Sequence, residues 1–162
     1  MTATALPLVI APDPRLKIPA VPVESFSSSL KDLVAAMRAT VIQESGIGLA
    51  APQVGESLRV ALINRLAGRR GEEWAVLINP RWVAYEGEQV NQEGCLSIPG
   101  IRVAVRRPAR VILEAQDEKG RLRRYPFFGL AAACAFHEMD HLDGVLITDR
   151  NDQELAVPIQ SL

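Results

Sequence analysis

His137-Glu138-Met139-Asp140-His141 is the stretch that decides how this 162-residue chain is interpreted. It lies in an apolar segment that predicts a helix over residues 128–142, and residues four apart share one face of a helix. Two imidazoles placed in this way can bind a single metal ion. Glu138 points close to the same spot and can take a proton from a metal-bound water without being a ligand. Because His137 and His141 are the only histidines of the chain, the stretch favours a metal-dependent hydrolase over a merely polar helix surface.

The third ligand has to come from elsewhere in the chain. A catalytic metal site of the zinc type typically has three protein ligands and an open position. No histidine follows His141 that could be the third ligand. Upstream, Glu93-Gly94-Cys95-Leu96-Ser97 offers a thiolate from Cys95 on a backbone that Gly94 allows to turn tightly. A free cysteine is more often a small buried apolar residue. Beside a two-histidine helix that lacks a ligand, however, the metal-binding interpretation of Cys95 is favoured.

A third conspicuous segment is Gly46-Ile47-Gly48-Leu49-Ala50-Ala51-Pro52-Gln53. Its two glycines and small residues allow a backbone to approach a ligand closely. It is not a phosphate-binding loop, because the required Lys and Ser/Thr are absent. Gln53 ends the segment with an amide that can donate hydrogen bonds. Taken alone, the segment is best explained as a glycine-ended helix followed by a packed turn.

The remaining pattern predicts one α+β domain over residues 1–162. A proline-rich arm at residues 7–23 is expected to be extended, and a first helix follows at residues 30–44. Strands are predicted at residues 58–63, 74–78, 81–85, 102–105, 110–115, 121–125 and 145–148. The dipeptide Asn79-Pro80 is expected to break the second of these strands.

Composition excludes several classes of function. The net charge is only −1, which gives no reason to expect a nucleic-acid partner or an anionic membrane. No apolar run approaches the roughly 18 residues that span a bilayer. The apolar N-terminus lacks a basic region and contains Pro7, so we expect no signal peptide and a cytoplasmic location. A disulfide between Cys95 and Cys134 is not expected in such a chain.

The three motifs together resemble those of the peptide deformylase family. The family pattern is Gly-x-Gly-Leu-Ala-Ala-x-Gln, then Glu-Gly-Cys-x-Ser, then His-Glu-x-x-His, matched here at 46–53, 93–97 and 137–141. The resemblance extends from the arm around Pro12 to about Thr148. It implies antiparallel sheets packed around a central metal-binding helix, with the second helix nearer the N-terminus. It also implies removal of the N-formyl group from the N-terminal formyl-methionine of newly made polypeptides, releasing formate.

The resemblance also implies a role for each matching residue. Cys95, His137 and His141 would bind one divalent metal, usually Fe(II) in the family and replaceable by zinc, nickel or cobalt. Hydroxide formed on that metal would attack the formyl carbonyl, with Glu138 as general acid and base. The Gln53 amide and the backbone N–H of Leu96 would stabilise the oxyanion.

The methionine pocket is also implied by the resemblance. Residues that would line it or contact the peptide are Ile47, Gly48, Arg102, Leu130, Ala133 and Cys134. Two features depart from the family: Phe136 stands where many members have Gln, and the run at residues 130–134 is smaller than the bulky aliphatic residues often found there. Small side chains remove volume from a pocket wall, so we predict a roomier pocket and a less strict preference for methionine.

Several alternatives stay open at this point. A metalloprotease that cleaves internal bonds could use the same histidines, although it would lack a downstream third ligand. A metal- or peptide-binding homologue would need neither Glu138 nor Gln53. The resemblance allows association with the ribosome. The chain is expected to be a monomer or a homodimer, and the short tail at residues 151–162 could form an arm or strand that favours association.

Overall fold

The computed structural model describes residues 3–150, which form two helices and seven strands. The helices are α1 (Ser28–Gln43) and α2 (Leu130–Leu142), and the strands are β1 (Gly48–Ala50), β2 (Val60–Asn64), β3 (Trp74–Glu86), β4 (Gln89–Cys95), β5 (Ile98–Arg107), β6 (Arg110–Gln116) and β7 (Leu122–Phe128). Five strands form an antiparallel sheet in the order β1-β2-β3-β6-β7, and β4 pairs with β5 in a second antiparallel sheet. The predicted α+β class is therefore confirmed.

Strand β2 shows why the five-stranded sheet lies between the two helices. Successive side chains of a strand point to opposite faces. Ala61 and Ile63 belong to the core on the α2 side, whereas Val60 and Leu62 belong to the core on the α1 side. A strand that is covered on both faces has no polar face, which explains its continuous apolar sequence.

Helix α2 packs on this sheet through small side chains. Ala131, Ala132 and Ala135 are buried in the same core as the sheet residues. Short side chains allow the helix axis to lie close to the sheet, so the polar residues on its other side are held by a rigid support. The helix begins at Leu130 and not at Phe128, because β7 continues to Phe128 and Gly129 makes the turn with φ +58°.

The predicted break at Asn79-Pro80 is wrong. Strand β3 runs through both residues as one element, and its pairing with β6 shifts register between Ile78 and Arg81. Asn79 adopts φ +52°, and its side chain bonds both backbone groups of Val23 in the arm. The dipeptide therefore forms a bulge, which costs local pairing but does not end the strand.

Three other elements differ from the sequence prediction. Strand β4 was not predicted, because its side chains are mostly polar and carry no apolar run. Strand β1 was not predicted either, because it is only three residues long within the glycine-rich segment. The strand predicted at residues 145–148 is wrong: Ile147–Arg150 is a short 3-10 helix. Asp149 stabilises that turn because its side chain accepts from the Leu146 N–H at 2.8 Å.

The N-terminal arm is extended as predicted, except for a short 3-10 helix at Pro14–Lys17. Its backbone N–H groups reach segments that are far apart in the sequence. Val9 donates to the carbonyl of Gln53 at 2.7 Å, Ala11 to that of Ser97 at 2.9 Å, and Ala20 to that of Leu142 at 2.8 Å. The arm therefore ties together the three segments that carry the sequence motifs.

The predicted arm or strand at residues 151–162 lies outside the described residues. Within residues 3–150, neither helix combines the length and the apolar character that crossing a bilayer demands.

Candidate metal centre and substrate cleft

Cys95, His137 and His141 bring three donor atoms to one point. Cys95 Sγ lies 3.3 Å from His141 Nε2, and the two histidine Nε2 atoms are 3.2 Å apart. All three donor atoms lie within 4.8 Å of one another. Donors around one tetrahedral metal with ordinary metal–nitrogen and metal–sulfur bonds stand roughly 3.3 to 3.6 Å apart. The residues therefore fit a single metal ion.

Local structure explains how the three donors meet. On α2, the four-residue spacing places both imidazoles on the same face, with ring centroids 4.8 Å apart. Cys95 is the last residue of β4 and lies opposite Ile98 of β5, at the tight turn between these strands. The β4–β5 sheet thus delivers the thiol to the histidine face of the helix.

His137 is held by a buried carboxylate. Its Nδ1 lies 3.1 Å from Glu93 Oε1, so an Nδ1–H donates to Glu93 when Nε2 is the free nitrogen. Arg107 in turn donates to both oxygens of Glu93, at 2.7 and 2.8 Å. Burial raises the pKa of Glu93, but the hydrogen bonds from Arg107 and His137 outweigh burial and lower it to about 2. The carboxylate is therefore ionised, and it fixes the tautomer and orientation of the ring.

Glu138 is a buried carboxyl group next to the three donors. Its side chain is 3% exposed, and its Oε1 has no hydrogen-bond partner among the described residues. Burial raises its pKa to about 7, although the neighbouring His137 acts in the opposite direction. A carboxyl group with such a pKa exchanges protons readily near neutral pH.

Gly48 makes room for that carboxyl group. A Cβ atom at Gly48 would lie 2.7 Å from Glu138 Oε2 and closer still to Cys134 Sγ. Strand β1 carries Gly48 and pairs with β2, so this backbone cannot withdraw easily. The glycine-rich segment is therefore a strand that passes close to Glu138, and the expectation of a helix end and a packed turn was incomplete.

Gln53 connects the first motif to the cysteine turn. It lies in a short 3-10 helix at Ala51–Val54 and is 1% exposed. Its Oε1 accepts from the Ala50 N–H at 3.0 Å, so the amide nitrogen points the other way. Nε2 donates to Ser97 Oγ at 3.2 Å and lies 3.7 Å from Cys95 Sγ. The amide is fixed beside the thiol, where it can meet a negative charge.

The candidate residues surround one cleft with a volume of about 720 Å³. Its walls include Ile47, Gly48, Gln53, Cys95, Leu96, Arg102, Leu130, Ala133, Cys134, His137 and Glu138. His141 is buried and 1% exposed. Phe136 packs on Trp82, with ring centroids 4.9 Å apart, so it acts in the core and not as a wall of the cleft.

Sequence reasoning missed the side chains that support the site. Arg107 follows another arginine, a pattern typical of a solvated surface, yet it is fully buried. Asp140 accepts from Arg107 at 2.9 Å and from Arg150 at 2.7 and 2.9 Å. The only signal in the sequence was the place of Asp140 inside the His-Glu-x-x-His stretch. Arg107 comes from the distant strand β5, and Arg150 from the 3-10 helix ten residues after Asp140, and no local sequence pattern connects either of them to Asp140.

The fold and the cluster define a class of protein: an α+β hydrolase that depends on a metal. Comparison with known proteins narrows this class. The family model for polypeptide deformylase matches residues 5–156. The peptide deformylase of Dictyoglomus turgidum is 45% identical over 142 residues, covering 88% of this chain and 90% of that protein.

Comparison with solved structures gives the same result as the sequence comparisons. The crystal structure of a peptide deformylase from Legionella pneumophila has a TM-score of 0.86 at 39% identity, covering 93% of this chain and 88% of that one. The Met-Ala-Ser-bound class I type b peptide deformylase from Acinetobacter baumannii has a TM-score of 0.86 at 32% identity, covering 91% of this chain and 99% of that one.

The chain belongs to the polypeptide deformylase family. The activity of this family is the metal-dependent removal of the N-formyl group from the N-terminal formyl-methionine of new polypeptides. This confirms the function that the three motifs predicted, and it decides against the metalloprotease and the binding protein.

Proposed function

We propose that Cys95 Sγ, His137 Nε2 and His141 Nε2 hold one divalent metal for this reaction. The short distances among the three donors are the observation that carries the proposal. A thiolate with two imidazoles suits iron, zinc, nickel or cobalt, and we propose Fe(II) as the native metal. When bound, the metal supplies Lewis acidity that lets a water molecule ionise near neutral pH.

Glu138 would move the proton. Its carboxyl group adjoins the donors, is buried, and lacks a partner for Oε1 among the described residues. We propose that it takes the proton of the attacking water and gives it to the departing amine nitrogen, which leaves poorly without protonation. Its pKa of about 7 suits both steps, because the group can accept and release a proton at the same pH.

Gln53 and Leu96 would stabilise the charge that develops on the formyl oxygen. The Gln53 amide is fixed by the Ala50 N–H, and one of its N–H bonds points toward Ser97 Oγ. The second N–H and the backbone N–H of Leu96 are the proposed oxyanion donors. One donor of this kind is worth about 3 kcal/mol of the barrier.

The cleft would hold the methionine and the start of the peptide. Ile47, Leu130, Ala133 and Cys134 give it an apolar wall next to Glu138 and His137. Gly48 and Arg102 border the same cleft, where they would contact the peptide backbone. The related deformylase of Acinetobacter baumannii binds Met-Ala-Ser, which supports a peptide that starts with methionine in this cleft.

The decisive experiment is anaerobic formate release from formyl-Met-Ala-Ser by the Fe(II)-loaded protein. Glu138→Gln should lower kcat by about 10²- to 10⁴-fold, the usual range for a general acid and base. Its metal content should stay at one ion per chain, because Glu138 is not a proposed ligand. Cys95→Ala should lose the metal.

Glu56→Gln serves as the matched control, because Glu56 is an exposed acid on the surface. It should retain full activity. If Glu138→Gln released formate as fast as the unaltered chain, the proposed proton transfer would be wrong.

The cellular setting follows from the substrate. We propose that the protein acts in the cytoplasm on nascent polypeptides, since formyl-methionine is present where translation begins. Association with the ribosome and a monomeric or homodimeric state are further proposals. Light scattering of the purified chain and co-sedimentation with ribosomes test them.

A further inference from the structure

A series of buried, hydrogen-bonded side chains leads away from the candidate metal centre. It starts at His137, whose Nδ1 meets Glu93, and continues to Arg107, which donates twice to Glu93. The third hydrogen bond of Arg107 goes from Nη1 to Asp140 Oδ2 at 2.9 Å. The Arg107 side chain is 0% exposed, and the two carboxylates are nearly as buried. The three nitrogens of Arg107 are therefore divided between two competing acids.

Arg150 is the last side chain of this series. Its Nε and Nη2 donate to the two oxygens of Asp140 at 2.7 and 2.9 Å, which is a bidentate ion pair. Its guanidinium lies 5.5 Å from the centre of the Phe136 ring, and that of Arg107 lies 4.9 Å from the same ring. The ring of Phe136 thus supports both cations, and an aromatic face attracts a guanidinium.

The charges of this cluster balance only when Arg150 is included. Glu93 and Asp140 carry two negative charges, and Arg107 and Arg150 carry two positive charges. Without Arg150, two buried carboxylates would share a single guanidinium. An unpaired buried charge is costly, so Arg107 would shift toward Asp140 and weaken its bonds to Glu93.

We propose that Arg150 is a positioning residue for the metal centre, acting through Asp140, Arg107 and Glu93 on the His137 imidazole. Arg150 touches neither the donors nor the cleft, and its side chain is 23% exposed. Because Arg150 neutralises Asp140, Arg107 keeps both of its hydrogen bonds to Glu93. Glu93 then keeps Nε2 of His137 directed at the metal. This inference rests on the proposed three-residue metal site.

The test measures metal release directly. The protein is loaded with Co²⁺ without oxygen, and the dissociation rate is followed by absorbance after addition of excess chelator. Loss of a group that orients a metal ligand typically weakens metal binding 10- to 100-fold. Because Arg150 acts from further away, Arg150→Met should speed release by about three- to tenfold and should shift the cobalt absorption bands. Arg150→Lys keeps the charge without the bidentate geometry. It should release cobalt at a rate between those of the unaltered protein and Arg150→Met.

A double variant separates charge balance from simple loss of structure. Arg150→Met with Asp140→Asn removes one charge of each sign, so Arg107 can return fully to Glu93. Its release rate should recover to within about twofold of the unaltered protein, whereas a merely structural role predicts further loss. Arg81→Met is the matched control, since Arg81 pairs with Glu114 on the exposed sheet face and is 72% exposed.

The outcomes are distinct. Unchanged release from Arg150→Met, or faster release from the double variant than from Arg150→Met, overturns the role of Arg150 and leaves the metal site intact. Failure of the unaltered protein to bind cobalt overturns the metal site and this inference with it.

Discussion

Gly48→Ala places one methyl group against the proposed proton carrier. The new Cβ would lie 2.7 Å from Glu138 Oε2, closer still to Cys134 Sγ, and 3.1 Å from the carbonyl oxygen of Leu62. The last atom belongs to the backbone of β2, which is the pairing partner of β1 and is buried on both faces. The strand cannot yield, so the side chains of Glu138 and Cys134 must move.

The size of the effect follows from these distances. Ordinary contacts of a Cβ begin near 3.4 Å, so the Glu138 carboxyl group has to shift by about 0.7 Å and the Cys134 sulfur by about 1 Å. A misplacement of that size costs about 100-fold in rate. Overpacking of a core by one methyl group also lowers the free energy of unfolding by about 1–3 kcal/mol. We therefore expect kcat to fall by about 100-fold while the metal content stays at one ion per chain.

Formate release, metal analysis and urea unfolding measure the three quantities. Gly46→Ala is the control, because its Cβ would press on the side chains of Leu96 and Val41, at 2.9 and 3.0 Å, and on neither Glu138 nor Cys134. Adding Cys134→Ala to Gly48→Ala should recover stability without recovering rate. A Gly48→Ala protein with normal kcat would refute the reasoning, because Glu138 would then tolerate displacement.

Two further predictions concern the arm and the cleft. Gly144→Ala should lower the free energy of unfolding by about 1–3 kcal/mol more than Gly100→Ala in urea titrations. Both glycines have φ near +78°, but only at Gly144 would a Cβ approach a backbone atom, the Lys17 carbonyl oxygen at 2.5 Å. Equal losses in the two variants would contradict the close contact of the arm. In the cleft, formyl peptides that begin with a residue larger than methionine should be good substrates, and Ala133→Ile should reduce kcat/KM for them by about 10- to 200-fold relative to formyl-methionine peptides. A strict methionine preference in the unaltered chain would rule out the roomier pocket.

The donor set of the candidate metal centre could be predicted because its geometry is local. Four residues of helix set the distance between His137 and His141, and the turn between β4 and β5 presents Cys95. Helix α2 and strand β2 were also accessible, since one has helical spacing and the other is a continuous apolar run. The resemblance then assigned Gln53 and Glu138 without any knowledge of the fold.

The support of the site could not be predicted in the same way. Arg107 meets Asp140 only after the β4–β5 sheet folds over α2, and Arg150 meets it only because the chain turns back after α2. A local window shows both as ordinary surface arginines. Strand β4 could not be predicted because pairing with β5 stabilises it, and its own polar residues give no apolar pattern. The Asn79 bulge depends on a partner in the arm, which lies far away in the sequence.

The arm also has a consequence for the order in which the molecule is assembled. Ala20 donates to the Leu142 carbonyl at the end of α2, so this contact joins two segments that lie far apart in the sequence. Closing such a long loop is slow, because its entropy is lost before the contact repays it. His137 and His141 lie on that helix and are synthesised long after the arm. A nascent copy of this chain therefore lacks the proposed metal centre until α2 has been made and has closed onto the arm.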